Sequence, residues 1–357
     1  MWLIGVAGLA VGVVFALRVM LPYGIDPTVF IRLGDESPTQ TSYARQLLGD
    51  ATSRRDFAHD GRWFFAQAND PWYLEPEEHA AVLDRPVYRA QRMLFPMIAG
   101  GFGLFPSGIV VWSLLVTNLV GLALGGILAA KLAASWGLSP LLGLWVPLNP
   151  GLLFELEIGG AGIVAYTCCL AAVYALVKDR TGLASLLFAA AALSREVMVL
   201  FAAGVFVVMW LDGRRLPWRI LLVPIVAMSL WHAYIRFRLS GVSGAGGGQA
   251  AFSAPFFGIA RAFRIWALDP MHLVVNVAIL LLVVAFVLAA IRSRSPLAWG
   301  ALPFIFLAAT LSVNVWRETH DFVRVLSPVF TAIPFLFPAS LQDESRPDGD
   351  SRATERR

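Results

Sequence analysis

The stretch Leu183–Leu211 reads LASLLFAAAALSREVMVLFAAGVFVVMWL, two apolar runs interrupted by Ser194-Arg195-Glu196. Each run is shorter than the ~20 residues an α-helix needs to cross a hydrocarbon layer of about 30 Å. Reading both as one continuous span buries a charged pair at a cost. It also sends the basic connectors Lys178-Asp179-Arg180 and Arg214-Arg215/Arg219 to opposite sides, against the cytoplasmic bias of short basic loops. Two short helices, with Arg195-Glu196 at or just below the outer surface, keep both connectors inside. The expected fold class is therefore all-α: a polytopic membrane protein with a paired-helix element near its middle.

Composition agrees. Of 357 residues, 58% are apolar and only 15% charged, with a mean hydropathy of +0.68. A soluble domain carries about 25% charged residues, so a soluble enzyme, a secreted disulfide scaffold and a disordered chain are excluded. The net charge of +4 comes from arginine, since Lys131 and Lys178 are the only lysines. No basic stripe interleaved with aromatics points to nucleic acid. Cys168 and Cys169 are adjacent in an apolar segment and carry no redox information.

Outward from the central pair, Trp2–Leu21 reads as a retained membrane anchor, lacking a basic leader and a cleavage site. It begins so close to Met1 that an upstream start stays open. Further apolar segments are Gly108–Ala130, Pro140–Phe154, Gly160–Val177, Leu183–Leu193, Val197–Leu211, Ile220–Tyr234, Met271–Ile291, Leu297–Val313 and Val323–Leu341. The expected topology has about ten helical segments, two of them short, with both termini cytoplasmic. Residues 1–341 form one transmembrane domain, and 342–357 form a polar, disordered cytoplasmic tail. Within the domain, 22–106 comprise an extracytoplasmic loop and an interfacial helix. That helix is Leu94–Phe105, too short to span. Gly244–Gly248 reads as a linker or a mobile lid.

The loop Pro22–Arg92 holds 11 of the 24 acidic residues. Its strongest constellation is His59-Asp60-Gly61-Arg62-Trp63-Phe64. Asp60 in such a turn is either the N-cap of a helix starting near Arg62 or a general base toward a hydroxyl at the membrane surface. Arg89 and Arg92, three apart, either address one anion or snorkel to the interface. In this topology seven arginines lie outside next to apolar segments: Arg195, Arg236, Arg238, Arg261, Arg264, Arg317 and Arg324. Ion pairs explain some of them: Arg195 with Glu196, Arg264 with Asp269, and Arg317 or Arg324 with Glu318 and Asp321. Together they favour an anionic ligand, with a lipid phosphate the obvious choice. Glu155 and Glu157 diverge if helical, so a metal there is a minor alternative. The scattered histidines show no zinc-ligand spacing, and Walker and nucleophile-elbow motifs are absent.

These features resemble the GT-C superfamily, integral membrane glycosyltransferases that use polyprenyl-phosphate-linked sugars. The DGxWFF of Asp60–Phe65 is similar to the DGxxYY found early in the loop of many bacterial members. The YRxQRxLFP of Tyr88–Pro96 resembles the YRxQRxxYP of a group implicated in cell-surface glycopolymer formation. The LSRE of Leu193–Glu196 resembles the (L/A)xRE between their two short helices. Glu155-Leu156-Glu157-Ile158-Gly159-Gly160 departs from the DxxE turn of many relatives.

The resemblance implies that Asp60 is the catalytic base and Arg195 the phosphate ligand, supported by Arg89, Arg92 and Arg324. Glu196, Tyr88 and Trp63, from the same motifs, join as substrate-binding candidates. The implied activity is an inverting sugar transfer from a polyprenyl-phosphate donor to a glycan or lipid acceptor. It takes place at the extracytoplasmic face of the inner membrane, with no cofactor and no nucleic acid. The alternatives are a carrier or flippase for lipid-linked glycan intermediates, which should show related halves and midplane charge, and a non-catalytic assembly subunit.

Overall fold

The computed structural model of the chain describes residues 1–50, 52, 55, 57–213, 217–241 and 252–336. The Arg214-Arg215 connector, Gly244–Gly248 and the tail 342–357 lie outside the described residues. Among those residues the chain is helical, with one antiparallel bridge, Phe252 to Leu311, and no strand. After α1 (Trp2–Met20), the loop folds into α2 (Pro38–Leu48), α3 (Gly61–Asn69), α4 (Pro76–Val82), α5 (Pro86–Arg89) and α6 (Leu94–Ala99). The middle of the chain holds α7 (Ser107–Ser135), α8 (Pro150–Glu157), α9 (Gly162–Val177), α10 (Thr181–Ser194), α11 (Val199–Leu211) and α12 (Arg219–Arg238). The last part holds α13 (Phe257–Trp266), α14 (Pro270–Ser293), α15 (Pro296–Ala309), α16 (Val313–Trp316), α17 (Thr319–Val325) and α18 (Ser327–Ala332).

Among the described residues, four helices are long and apolar enough to cross a membrane: Trp2–Tyr23, Ser107–Ser135, Arg219–Arg238 and Pro270–Ser293. Helices α9, α10, α11 and α15 are apolar but shorter. The split of Leu183–Leu211 is present: α10 ends at Ser194, Arg195 is extended (φ −153°, ψ 113°), and a 3₁₀ turn at Glu196–Met198 restarts the chain into α11.

Two expected segments are not continuous helices. Pro140–Phe154 is a 3₁₀ turn over Pro140–Trp145 followed by α8. Pro140, Pro147 and Pro150 each lack the N–H a continuing helix needs. The Asn149 side chain accepts from Gly151 N and Leu152 N, starting α8 afresh. The described part of Val323–Leu341 breaks into α17, α18 and a 3₁₀ turn over Ile333–Phe335, with Pro328 and Pro334 at the breaks.

Packing is close where residues are small. Gly5, Gly8 and Gly12 on α1 face Ile127, Ala123 and Leu119 of α7, the small-residue approach that lets apolar helices touch when lipid offers no hydrophobic drive. Gly204 of α11 sits against the Trp299 carbonyl and Gly300 against Phe201, seating α11 on α15. Asn149 also donates to the Ser327 carbonyl (2.9 Å) and to Thr331 Oγ1 (2.8 Å), fastening α8 to α18. These contacts seat α1 on α7, α11 on α15 and α8 on α18.

Candidate functional site

Asp60 owes its position to the glycine that follows it. A Cβ on Gly61 would collide with the carbonyls of Phe30 and Ile158, so only glycine lets the start of α3 press against the turn after α8. Asp60 sits at the N-cap position, yet its side chain makes no capping hydrogen bond. Its carboxylate turns outward instead. Oδ1 accepts from Arg89 Nη1 at 3.1 Å and Oδ2 from Arg324 Nη1 at 2.8 Å. Arg92 Nη1 lies 4.0 Å and His59 Nδ1 3.9 Å from Oδ2.

Each arginine is aimed by a further acid. Asp84 grips Arg89 at Nε (2.8 Å) and Nη2 (3.1 Å), leaving Nη1 for Asp60. Glu196 holds Arg92 in a two-pronged pair, both bonds 2.9 Å, the fork geometry arginine favours. Tyr88 accepts from Arg92 Nη2 at 2.7 Å. Arg195 donates to Glu155 Oε1 at 2.6 Å, and Arg324 Nε stands 3.7 Å from the same oxygen. Glu155 is buried, its Oε2 accepting from Gly162 N at 3.0 Å. Gly160 and Gly162 leave no room for a Cβ beside it.

These groups border one cavity of about 550 Å³. Asp60, Tyr88, Arg89, Arg92, Arg195, Glu196 and Arg324 all line it, joined by Arg85 and Gln91. Residues up to 264 positions apart in sequence thus meet at one wall. The rest of its lining is apolar and includes Phe304, Leu307, Leu311 and Val315. Leu307 is shared with an apolar groove of about 480 Å³ between α11 and α15, lined by Leu200, Gly204, Val207 and Phe306.

Trp63 is the candidate that does not reach the cavity. It is buried beneath the site, its ring 4.9 Å from the Arg89 guanidinium carbon and 4.3 Å from that of Arg62. Cation–π contact of this kind makes it a platform for Arg89.

The seven arginines expected outside separate. Of the seven, only Arg195 and Arg324 line the cavity. Arg238 is spent on the carbonyls of Tyr73 and Leu74, and Arg317 pairs with Glu318 at 3.4 Å. Two expected pairs change partners. Arg195 takes Glu155, because Arg92 already occupies Glu196. Asp269 caps α14 through Met271 N and His272 N. Glu155 and Glu157 diverge on α8, Glu157 receiving Arg32 and Arg55, each at 2.9 Å. No group of three metal-ligating side chains gathers among the described residues.

Three further residues stand beside the site in roles the sequence does not show. Glu155 is readable only as one of the few acids in the apolar part of the chain, a placement that demands a partner. His59 is visible in the sequence as the neighbour of Asp60, and Asp321 as a partner for Arg317 or Arg324, but nothing local pairs them with each other. Asp60 N donates to His59 Nδ1 (2.8 Å), which puts the imidazole proton on Nε2, facing Asp321 Oδ1 at 3.3 Å.

Burial pushes the Asp60 carboxyl upward, but Arg324, His59, Arg89 and Arg92 outweigh it and hold it well below the usual carboxylate range. Burial likewise raises Asp321, and the hydrogen bond from His59 with the charge of Arg324 brings it below its ordinary value. Both acids are ionised at neutral pH. An ionised carboxylate, oriented guanidinium groups and an apolar wall together suit a ligand with an anionic head and a lipid tail. No family model matches this chain, and neither a curated protein nor a solved structure is detectably similar to it.

Proposed function

We propose that this chain is a membrane glycosyltransferase that moves a sugar from a polyprenyl-phosphate donor to a glycan or lipid acceptor at the extracytoplasmic face of the inner membrane. The observation that carries the reading is the shared cavity. Asp60 and Arg195, the residues the GT-C resemblance assigns to proton removal and phosphate binding, border it together with Arg89, Arg92 and Arg324. In this reading the topology has about ten helical segments, and the loop 22–106 faces outward.

The donor phosphate lies against Arg195, with Arg92 and Arg324 beside it. The polyprenyl chain leaves past Leu307 into the groove between α11 and α15, where apolar burial contributes about 0.8 kcal/mol per CH₂ without reading the sugar. The acceptor oxygen attacks the anomeric carbon as the bond to the phosphate oxygen breaks. The acceptor proton goes to Asp60, the bonding pair leaves with the phosphate, and configuration inverts. A carboxylate engaged by two guanidinium groups is a weak base. A donor phosphate competing for Arg324 loosens its pair with Asp60 and raises the basicity of that carboxylate when the acceptor arrives. The arginines then stabilise charge on the departing phosphate, the place where fixed donors lower a barrier most.

The test is transfer by the purified full chain from a panel of polyprenyl-phosphate hexoses. Asp60→Asn should lower turnover by about 10²–10⁴-fold, the usual worth of a positioned base, while donor binding persists. Undiminished transfer by that variant removes Asp60 from the mechanism. Binding of the donor without transfer by the wild-type chain, under any acceptor tried, favours the carrier instead.

A further inference from the structure

Arg261 and Arg264, two of the outward arginines, take no part in the cavity. Both lie on α13, between the membrane-length helices α12 and α14. This helix has two distinct faces. Gly258, Ala262 and Trp266, four apart, are buried. Gly258 abuts the Leu311 carbonyl so closely that a Cβ would collide with it. Trp266 Nε1 donates to the Trp316 carbonyl at 3.0 Å. The segment leading into the helix is stitched to the end of α15 by Ser253 N to the Thr310 carbonyl and Phe256 N to the Ala309 carbonyl, both 2.7 Å.

The opposite face carries Phe257, Ala260, Arg261, Phe263 and Arg264, all exposed. Arg261 lies over the Phe257 ring, 4.4 Å from its centre. Among the described residues neither arginine forms an ion pair, and the nearest acid in sequence, Asp269, is committed to capping α14. Leu268, 85% exposed, follows directly, and α14 starts at Pro270 as the most hydropathic of the membrane-length helices. A ten-residue amphipathic helix ending four residues before such a span lies at headgroup depth. Aromatic rings beside unpaired cations are the pattern of a helix resting in the plane of the interface.

We infer that the outer face of α13 docks anionic phospholipid of the surrounding bilayer. Arg261 and Arg264 rest on headgroup phosphates, and Phe257 and Phe263 enter the boundary with the acyl chains. Leu311 and Val315, between the residues that hold α13, line the cavity, so bilayer anions seat the helix that braces the cavity's apolar wall. The inference stands on the membrane placement of α12 and α14 and does not depend on sugar transfer.

The experiment uses the full chain in phosphatidylcholine bilayers with and without phosphatidylglycerol. A fluorophore on Ala260→Cys, in a Cys168→Ala background, should be quenched more by headgroup-level than by chain-end nitroxide lipids. Wild-type protein extracted from the mixed bilayer should retain phosphatidylglycerol preferentially. Arg261→Gln/Arg264→Gln should lose that preference by about fivefold per arginine, the worth of a cation at an anionic surface. Equal retention by wild type and variant, or a fluorophore quenched at neither depth, overturns the inference. Crosslinking of Ala260→Cys between two copies, with quenching abolished, also overturns it and makes the face a self-interface.

Discussion

Asp60 stands where two opposite demands meet. Its carboxylate is almost out of solvent, yet the guanidinium groups of Arg324, Arg89 and Arg92 keep it charged. The folded value is depressed, so the stability drawn from its pairs is fully present above the unfolded carboxylate value, about 3.9. It is lost as pH falls below that through the folded value. Thermal unfolding of the purified chain should therefore separate wild type from Asp60→Asn by a constant interval from neutral pH to about pH 5. The interval should close only in stronger acid. A separation that collapses near pH 6 means the carboxyl is not held ionised by these arginines. At the same scale, sequence makes Asp60 equally a helix cap or a base. The fold bears on the first alone: Asp60 stands at the cap position, but its side chain makes no capping hydrogen bond.

At the scale of elements, the loop helices are placed by glycine contacts rather than by helix propensity. Gly61 allows α3 to meet the Phe30 and Ile158 carbonyls, and α3 carries Asp60 at its start and Trp63 beneath Arg89. Gly61→Ala should cost about 1–3 kcal/mol, the usual result of forcing extra volume into a filled space. It should also weaken any ligand response of the cavity. Gly108→Ala, where the added carbon meets nothing within 4 Å, should stay within about 0.5 kcal/mol of wild type. Thermal unfolding in detergent compares the two. Equal stabilities would mean that the loop relaxes freely around Gly61 and does not fix Asp60. The broken elements carry a related lesson. The prolines within Pro140–Phe154 and Val323–Leu341 are legible as residues, but the apolar side chains around them make each stretch read as a span. The backbone obeys the missing N–H groups, and the resulting short helices α8 and α17 bring Glu155 against Arg195 and Arg324 to the cavity.

For the whole molecule, the chain stacks apolar helices beneath a folded polar loop and gathers its buried charge where the two join. Arg92, Arg195 and Arg324 on that wall each face an acid from a distant part of the chain, and Arg89 is held by nearby Asp84, so charge and fold stabilise one another. Removing one partner of such a buried pair typically costs 3–5 kcal/mol. The proposed orientation makes a direct prediction. A single cysteine at Leu74, exposed on the loop, should react in whole cells with a membrane-impermeant maleimide. Labelling only after the membrane is opened would place the loop in the cytosol and remove the extracytoplasmic reading.

Sequence alone determined the helical, membrane-type composition, the interruption at Arg195-Glu196 and the acids and arginines rich enough in chemistry to form a site. These are local properties: hydropathy over about 20 residues, the cost of charge in an apolar run, the absence of a proline N–H. Tertiary structure alone decided which charges pair. Arg195 takes Glu155 in place of its neighbour Glu196, Arg92 takes Glu196, and Asp60 joins Arg324 across 264 positions. The reason is physical: ion pairing depends on distance in space, and in a bundle of helices that distance is set by glycine contacts and helix breaks far from the charges themselves.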